Sequence, residues 1–107
     1  MSSYIEEQLE WVLQKEAEKT MNFGEAINLI KQGYKLQRKG WNGKGMFIYY
    51  VPANKYKVCT KAAESIMDDG RMVEYAAYIA MYTADKVVVP WLASQTDLLA
   101  EDWVAID

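Results

Sequence analysis

The chain of 107 residues has no histidine and a single cysteine, Cys59. Without histidine it lacks the commonest general base, the commonest metal ligand and every nucleophile that pairs serine or cysteine with histidine. One cysteine excludes an internal disulfide and a zinc site built from several cysteines, and a reducing cytoplasm is its simplest compartment. We therefore expect a binding protein rather than an enzyme, with neither metal nor cofactor.

Long apolar runs are also missing, although 51% of the residues are hydrophobic. No stretch reaches the 18 apolar residues that indicate a membrane span. The chain opens with Glu6, Glu7 and Glu10 instead of the basic and apolar regions of a secretory signal. Length and composition together predict one soluble domain with a single core.

The net charge of −3 conceals a strong asymmetry along the chain. Residues 31–61 hold eight bases and no acid, whereas residues 62–107 hold nine acids and two bases. A positive block inside an acidic protein favours a local anionic partner, and the acidic total argues against general nucleic-acid binding. The alternative is that the basic and acidic blocks pair with each other in the fold.

The first twenty residues are predicted to form an N-terminal extension. Ile5, Leu9, Val12 and Leu13 recur at helical spacing, which predicts an amphipathic helix over residues 4–19. Its apolar stripe would pack on its own domain or, alternatively, on a partner subunit. Residues 21–107 would then form a single ligand-binding domain.

The rest of the chain alternates short helices with strands. Asn22 and Glu25 have the spacing of a capping box, which predicts a helix over residues 23–32 ending before Gly33. Asn42-Gly43 predicts a tight turn between strands at residues 34–38 and 46–51, with Pro52 ending the second strand. The pattern as a whole predicts an α+β fold, a small antiparallel β-sheet with short helices and the extra N-terminal amphipathic helix. The remaining elements are predicted to be a helix at 60–67 closed by residues 68–70, strands at 75–82 and 87–91 joined by a turn at 83–86, a helix from Ser94, and a strand at 103–106.

The best candidate site is the stretch of residues 38–47, which reads RKGWNGKGMF. Its glycines let a ligand approach the backbone, and Trp41 and Phe47 offer flat faces for stacking a base. Arg38 can bind a phosphate in two-pronged fashion, with Lys39 or Lys44 adding charge. The alternative is an ordinary hairpin whose tryptophan fills the core and whose lysines are solvated.

Two further groups of polar residues are candidate sites. Ser94 and Asp97 again make a capping box, and Asp97 could accept hydrogen bonds from ribose hydroxyls or simply cap the helix beside a core tryptophan. Glu101 and Asp102 are adjacent carboxylates, but neighbours in a chain diverge and no third metal ligand is evident. We therefore assign no metal to them.

Four segments of this sequence form a recognisable pattern: MNFGEA at 21–26, RKGWNGKGMF at 38–47, YIAM at 78–81 and VPWLASQTDLLAEDW at 89–103. In these segments the chain resembles the phage and prophage family of Thoeris anti-defense proteins of the second type. The resemblance covers about residues 21–107, in order and in register.

The resemblance implies a non-catalytic sponge that binds glycocyclic ADP-ribose, a cyclic ADP-ribose isomer made by a TIR-domain sensor, without cleaving it. It implies a homotetramer in the host bacterial cytoplasm, with ligand pockets between subunits. From the acidic total and the lack of a long apolar run, we expect neither nucleic acid nor a membrane as partner. Some relatives also hold cyclic dinucleotides. Carried over by position, the implied ligand-binding residues are Arg38, Trp41, Asn42, Phe47, Gln95, Thr96 and Asp97.

This sequence departs from the family pattern in three places. Residues 1–20 precede the usual start, and Ala77 and Lys86 stand where glycines are common. The identity of the ligand therefore stays open between a cyclic ADP-ribose isomer and a cyclic dinucleotide. Two other classes of function also stay open: a module whose N-terminal helix docks a protein, and an enzyme that hydrolyses the signal.

Overall fold

A computed structural model describes residues 20–41, 44–66 and 72–106, which form an α+β fold as predicted. The predicted N-terminal helix, the Asn42-Gly43 turn and the helix end at residues 68–70 lie outside the described residues. No helix in the described part is long and apolar enough to cross a membrane. The elements are α1 (Phe23–Lys31), β1 (Lys35–Arg38), β2 (Phe47–Val51), β3 (Asn54–Lys57), α2 (Lys61–Glu64), β4 (Met72–Tyr75), β5 (Tyr78–Tyr82), β6 (Val88–Pro90), α3 (Gln95–Leu99) and β7 (Trp103–Ile106).

The capping box predicted for α1 is confirmed. The Glu25 amide donates to Oδ1 of Asn22 at 2.9 Å, and the Asn22 amide donates to Oε1 of Glu25 at 3.3 Å. At the other end Gly33 has a φ of 102°, the left-handed conformation that suits glycine and ends a helix. These signals are local in the sequence, which is why the helix bounds could be predicted closely.

Five strands form one antiparallel sheet in the order β6-β5-β2-β1-β7. The predicted hairpin of β1 and β2 is confirmed, with Leu36 opposite Ile48. The C-terminal strand β7 lies beside β1, so Trp103 pairs with Arg38 although they are far apart in sequence. Met21 adds an isolated bridge to Trp103 on the outer side of β7.

The core lies between α1 and one face of this sheet. Trp103 is fully buried, and its ring contacts three other aromatic rings. Burying a large aromatic ring removes 150–250 Å² from water, so Trp103 ties the C-terminal strand firmly to the helix. The other buried members of this cluster are Met21, Ala26, Leu29, Ile30, Leu36, Ile48 and Ala105.

The strand predicted at residues 75–82 begins later, at Tyr78, because Tyr75 is the last residue of a separate strand, β4, which was not predicted. β4 pairs with β3 in a separate two-stranded ribbon, whereas β5 pairs with β2 in the main sheet. Ala76 and Ala77 separate them. Strand β3 was not predicted, because all four of its residues are exposed and give no buried alternation.

Helix α2 is shorter than the predicted helix over residues 60–67. Thr60 caps it by accepting a hydrogen bond from the Ala63 amide at 3.1 Å, but the helix ends at Glu64. Ile66 just beyond it is 81% exposed. Because short helices depend on packing for their stability, nothing at Ile66 favours another turn.

Candidate functional site

Arg38 joins the two segments of the predicted site. Its Nη1 donates to Oδ1 of Asp97 at 2.9 Å, and its Nε donates to Oδ1 of Asp102 at 2.8 Å. All three side chains are partly buried. Hydrogen bonds between ionised groups are stronger than those between neutral groups. The bonds to Asp102 and Asp97 raise the pKa of Arg38 above its ordinary value. The guanidinium is therefore held charged and fixed between the end of β1 and the α3–β7 region.

Asp97 is bound at both carboxylate oxygens. Its Oδ2 accepts the Ser94 amide at 3.1 Å while Ser94 Oγ accepts the Asp97 amide at 3.0 Å, which confirms the predicted capping box. Burial alone would raise the pKa of Asp97, but the hydrogen bonds from Ser94, Arg38 and Trp41 together lower it. Asp97 is thus an ionised group that holds α3 and Arg38 together.

Asp102 anchors the loop that follows β1. Its Oδ2 accepts a hydrogen bond from the Gly40 amide at 2.9 Å, and its main-chain oxygen accepts one from the Lys39 amide at 3.0 Å. Burial raises the pKa of Asp102, whereas the bonds from Arg38 and Gly40 lower it, and the net shift is downward. The sequence suggested a catalytic or metal-binding carboxylate at Asp102, and the structure pairs it with the cation of Arg38.

Trp41 lies half-buried at the edge of the core. Its ring meets that of Trp103 edge to face, with centroids 5.4 Å apart and planes at 80°. The indole N–H of Trp103 donates to the main-chain oxygen of Asp97 at 3.0 Å. One edge of Trp41 therefore contributes to the core, and the part that stays accessible can meet a ligand.

Gln95 and Thr96 are exposed in the turn of α3 that contains Asp97. The structure thus brings five of the predicted site residues into one region: Arg38, Trp41, Gln95, Thr96 and Asp97. Asn42, the sixth, lies outside the described residues.

Phe47 lies on the other face of the sheet. Its strand neighbour Ile48 points into the core beneath α1, and successive side chains of a strand point to opposite faces. The Phe47 ring contacts Tyr49 and Tyr82 at centroid distances of 5.7 and 5.3 Å, with the Lys35 ammonium 5.3 Å from the ring. Phe47 and Trp41 therefore do not line one pocket within a single subunit.

The positive block at residues 31–61 contacts the acidic half of the chain through Arg38. Among residues 20–41, 44–66 and 72–106, Arg38 is the base of this block for which the structure records an ion pair. Lys39 and Lys44, close to Trp41 in sequence, are exposed. Pairing between the two blocks is therefore confirmed for Arg38, and for the lysines it stays a prediction.

A cavity of about 460 Å³ lies where the β3–β4 ribbon meets the ends of β2 and β5. Sequence reasoning missed it because β3 was not predicted and residues 75–82 were treated as one strand. The signal available was the cluster of tyrosines in this stretch. The lining residues are Val51, Pro52, Tyr56, Lys57, Cys59, Tyr75, Ala76 and Tyr78.

The described residues offer no cluster of three or more histidine, cysteine, aspartate or glutamate side chains able to hold a metal ion. What the site around Arg38 and Trp41 does offer is a flat ring, the guanidinium N–H donors that Asp97 and Asp102 leave unused, and exposed amide and hydroxyl groups. This set suits a planar base joined to ribose and phosphate.

Comparison with known proteins identifies the same region of the chain. A family model described as the Thoeris anti-defense 2-like domain matches residues 21–106. The protein Thoeris anti-defense 2 of Bacillus phage SP01 is 36% identical over 91 residues, which cover 78% of this chain and 91% of that relative. The matched region contains every residue of the candidate site.

Proposed function

Because the chain belongs to the Thoeris anti-defense 2-like family, we propose that it binds a cyclic ADP-ribose isomer, glycocyclic ADP-ribose, and holds it without cleaving it. Family membership confirms the resemblance seen in the sequence and implies an anti-Thoeris function. Sequestering the signal made by a TIR-domain immune sensor, in the cytoplasm of an infected bacterium, would keep the downstream effector inactive.

The observation that carries this proposal is the hydrogen bond that the Trp41 side chain donates to Asp97, because it holds the Trp41 ring beside the first turn of α3. Trp41 would stack on the base, and Gln95 and Thr96 would contact ribose hydroxyls. Arg38 uses two of its five N–H donors on Asp97 and Asp102, so three remain for a phosphate oxygen. Asp97 can accept a further bond, because each carboxylate oxygen has two acceptor positions.

The energetics fit a sponge, which must outcompete an effector while binding one ligand per site. Stacking a base on an aromatic ring contributes about 1–3 kcal/mol. A nanomolar dissociation constant requires about 12 kcal/mol in total. Several contacts in a largely enclosed pocket are needed to reach that value, and in this proposal a second subunit supplies part of them.

The position of Phe47 supports the proposal that a neighbouring subunit completes the pocket. Since Phe47 lies on the face of the sheet opposite to Trp41, it can join the same ligand only from another copy of the chain. We therefore propose a homotetramer with pockets between subunits, in which Phe47 and Asn42 complete the set. The exposed lysines beside Trp41 would attract the diphosphate.

The test is to incubate the protein with glycocyclic ADP-ribose, remove free ligand, denature the protein by heat and identify the released compound by mass spectrometry. Release of intact ligand in a stoichiometric amount supports the proposal. Release of a cleaved product would show an enzyme. Retention of no ligand would overturn the proposal and favour a protein-interaction module.

A cyclic dinucleotide is the second candidate ligand, and the tyrosine-lined cavity is the observation that favours it. Its volume of about 460 Å³ falls within the roughly 300–1,000 Å³ of small-molecule sites, and Tyr56, Tyr75 and Tyr78 offer faces for stacking a base. If this candidate is right, a cyclic dinucleotide binds with an affinity that Tyr56→Ala lowers and Trp41→Ala does not. Loss in Trp41→Ala alone would place the cyclic dinucleotide in the Trp41 site.

A further inference from the structure

Asp102 accepts three hydrogen bonds from the segment of residues 38–41. Its carboxylate binds Nε of Arg38 at 2.8 Å and the amide of Gly40 at 2.9 Å. Its main-chain oxygen accepts the Lys39 amide at 3.0 Å. The Trp41 amide in turn donates to the Arg38 carbonyl at 3.2 Å, which closes the turn. Every residue from Arg38 to Trp41 is therefore held by Asp102, directly or through one neighbour.

Gly40 is required by this arrangement. A β-carbon added at Gly40 would lie 2.9 Å from Oδ2 of Asp102, closer than real contacts of this kind allow, and 3.8 Å from Nη2 of Arg38. The missing side chain lets the carboxylate reach the Gly40 amide. It also leaves the Nη2 side of the guanidinium uncovered by the loop.

We infer that Asp102 is a positioning residue, which fixes both the Trp41 ring and the free side of the Arg38 guanidinium for an anionic ligand that carries a base. This inference rests on the proposed function, because it assigns to Asp102 the geometry of that same site. Asp102 itself does not touch the ligand. It acts by holding the loop against β7, while Asp97 holds the guanidinium against α3.

A purely structural role for Asp102 predicts something different. In that case its loss would lower stability, but Trp41 would keep its position and ligand affinity would not change in folded protein. The positioning role predicts that both change even where the protein is fully folded. The two accounts can therefore be separated by measurements made well below the unfolding temperature of each variant.

The first measurement needs no ligand. The full chain is labelled with 5-fluorotryptophan, and the ¹⁹F resonance of Trp41 is assigned through Trp41→Phe. In Asp102→Ala and in Gly40→Ala we expect this resonance to shift or broaden while that of Trp91 stays in place. Glu101→Gln, which alters the exposed neighbouring carboxylate, is the matched control and leaves the spectrum unchanged. An unmoved Trp41 resonance in both variants would overturn the inference.

The second measurement is the affinity for glycocyclic ADP-ribose. Because hydrogen bonds to charged groups are the stronger kind, we expect affinity to fall about 10-fold in Asp102→Asn and about 100-fold in Asp102→Ala. The asparagine keeps one acceptor oxygen and is therefore the milder change. Unaltered affinity despite a displaced Trp41 resonance would also overturn the inference. If the wild-type protein binds no ligand, the proposed function fails, whereas the fluorine spectra still test how Asp102 holds Trp41.

Discussion

Nη1 of Arg38 lies 2.9 Å from Oδ1 of Asp97, a residue 59 positions further along the chain. The contact joins the end of β1 to the first turn of α3. Asp97 at the same time caps α3, so the helix start and the guanidinium share one carboxylate. The candidate site at residues 38–47 and the segment that begins at Ser94 are thus held together at the Arg38–Asp97 contact.

Replacing Arg38 with alanine is expected to lower the free energy of unfolding by about 2–3 kcal/mol. The change leaves two partly buried carboxylates without their cation, which costs more than the loss of the pair itself. Arg38→Lys should recover only part of this, since an ammonium cannot bridge both carboxylates with a planar fork. Urea unfolding measures these differences. Lys39→Ala, which removes an exposed charge nearby, should stay within about 0.5 kcal/mol of wild type. A loss that small in Arg38→Ala would contradict the account.

Stability should fall on acidification below about pH 4. The pKa values of Asp97 and Asp102 are lower in the folded protein, so the stabilisation is present above the unfolded value near 3.9. It is lost as the pH falls through the lowered folded values. Melting temperatures from pH 7 to pH 2 test this in wild type and Arg38→Met. The variant should show a shallower decline, and parallel curves would show that the ion pairs do not cause the shift.

Lys86 should be the site of a stabilising substitution. Its φ of 65° lies in the left-handed region, and it is exposed in the turn before β6. That conformation costs a residue with a β-carbon about 1–2 kcal/mol. Glycine avoids this cost, but it loses about 0.5–1 kcal/mol more in conformational entropy when the chain folds. Lys86→Gly is therefore expected to add about 0.5–1 kcal/mol to the free energy of unfolding, measured by thermal or urea denaturation. Lys86→Ala keeps the β-carbon and should add nothing. Equal effects in the two variants would point to the lost charge instead.

Helix α1 and the β1–β2 hairpin could be predicted because their signals are local. The capping box at Asn22 and the end at Gly33 each depend on a few neighbouring residues. The ribbon of β3 and β4 could not be predicted in the same way, since nearly all of its residues are exposed. Its pairing also joins two segments that are separated in sequence by residues 58–71. The division of residues 75–82 between two partners is likewise a tertiary choice.

The candidate site was predictable as a set of residue types but not as a geometry. The sequence predicts that Arg38 binds a phosphate and that Asp97 accepts hydrogen bonds from ribose hydroxyls. In the structure these two side chains bind each other. The prediction also grouped Phe47 with Trp41, although the register of β2 puts Phe47 on the opposite face. Adjacent positions on a chain say little about which face a side chain takes until the pairing of the strand is known.

Titration of glycocyclic ADP-ribose into the wild type and into Trp41→Ala tests the proposed function most directly. Isothermal calorimetry gives the dissociation constant and the number of sites. The account predicts nanomolar binding by wild type and a loss of at least about 10-fold in Trp41→Ala, from the 1–3 kcal/mol of stacking. Tyr50→Ala, which removes an exposed ring on β2 outside the candidate site, should bind as wild type does. Undiminished binding by Trp41→Ala, or no binding by the wild type, would contradict the account.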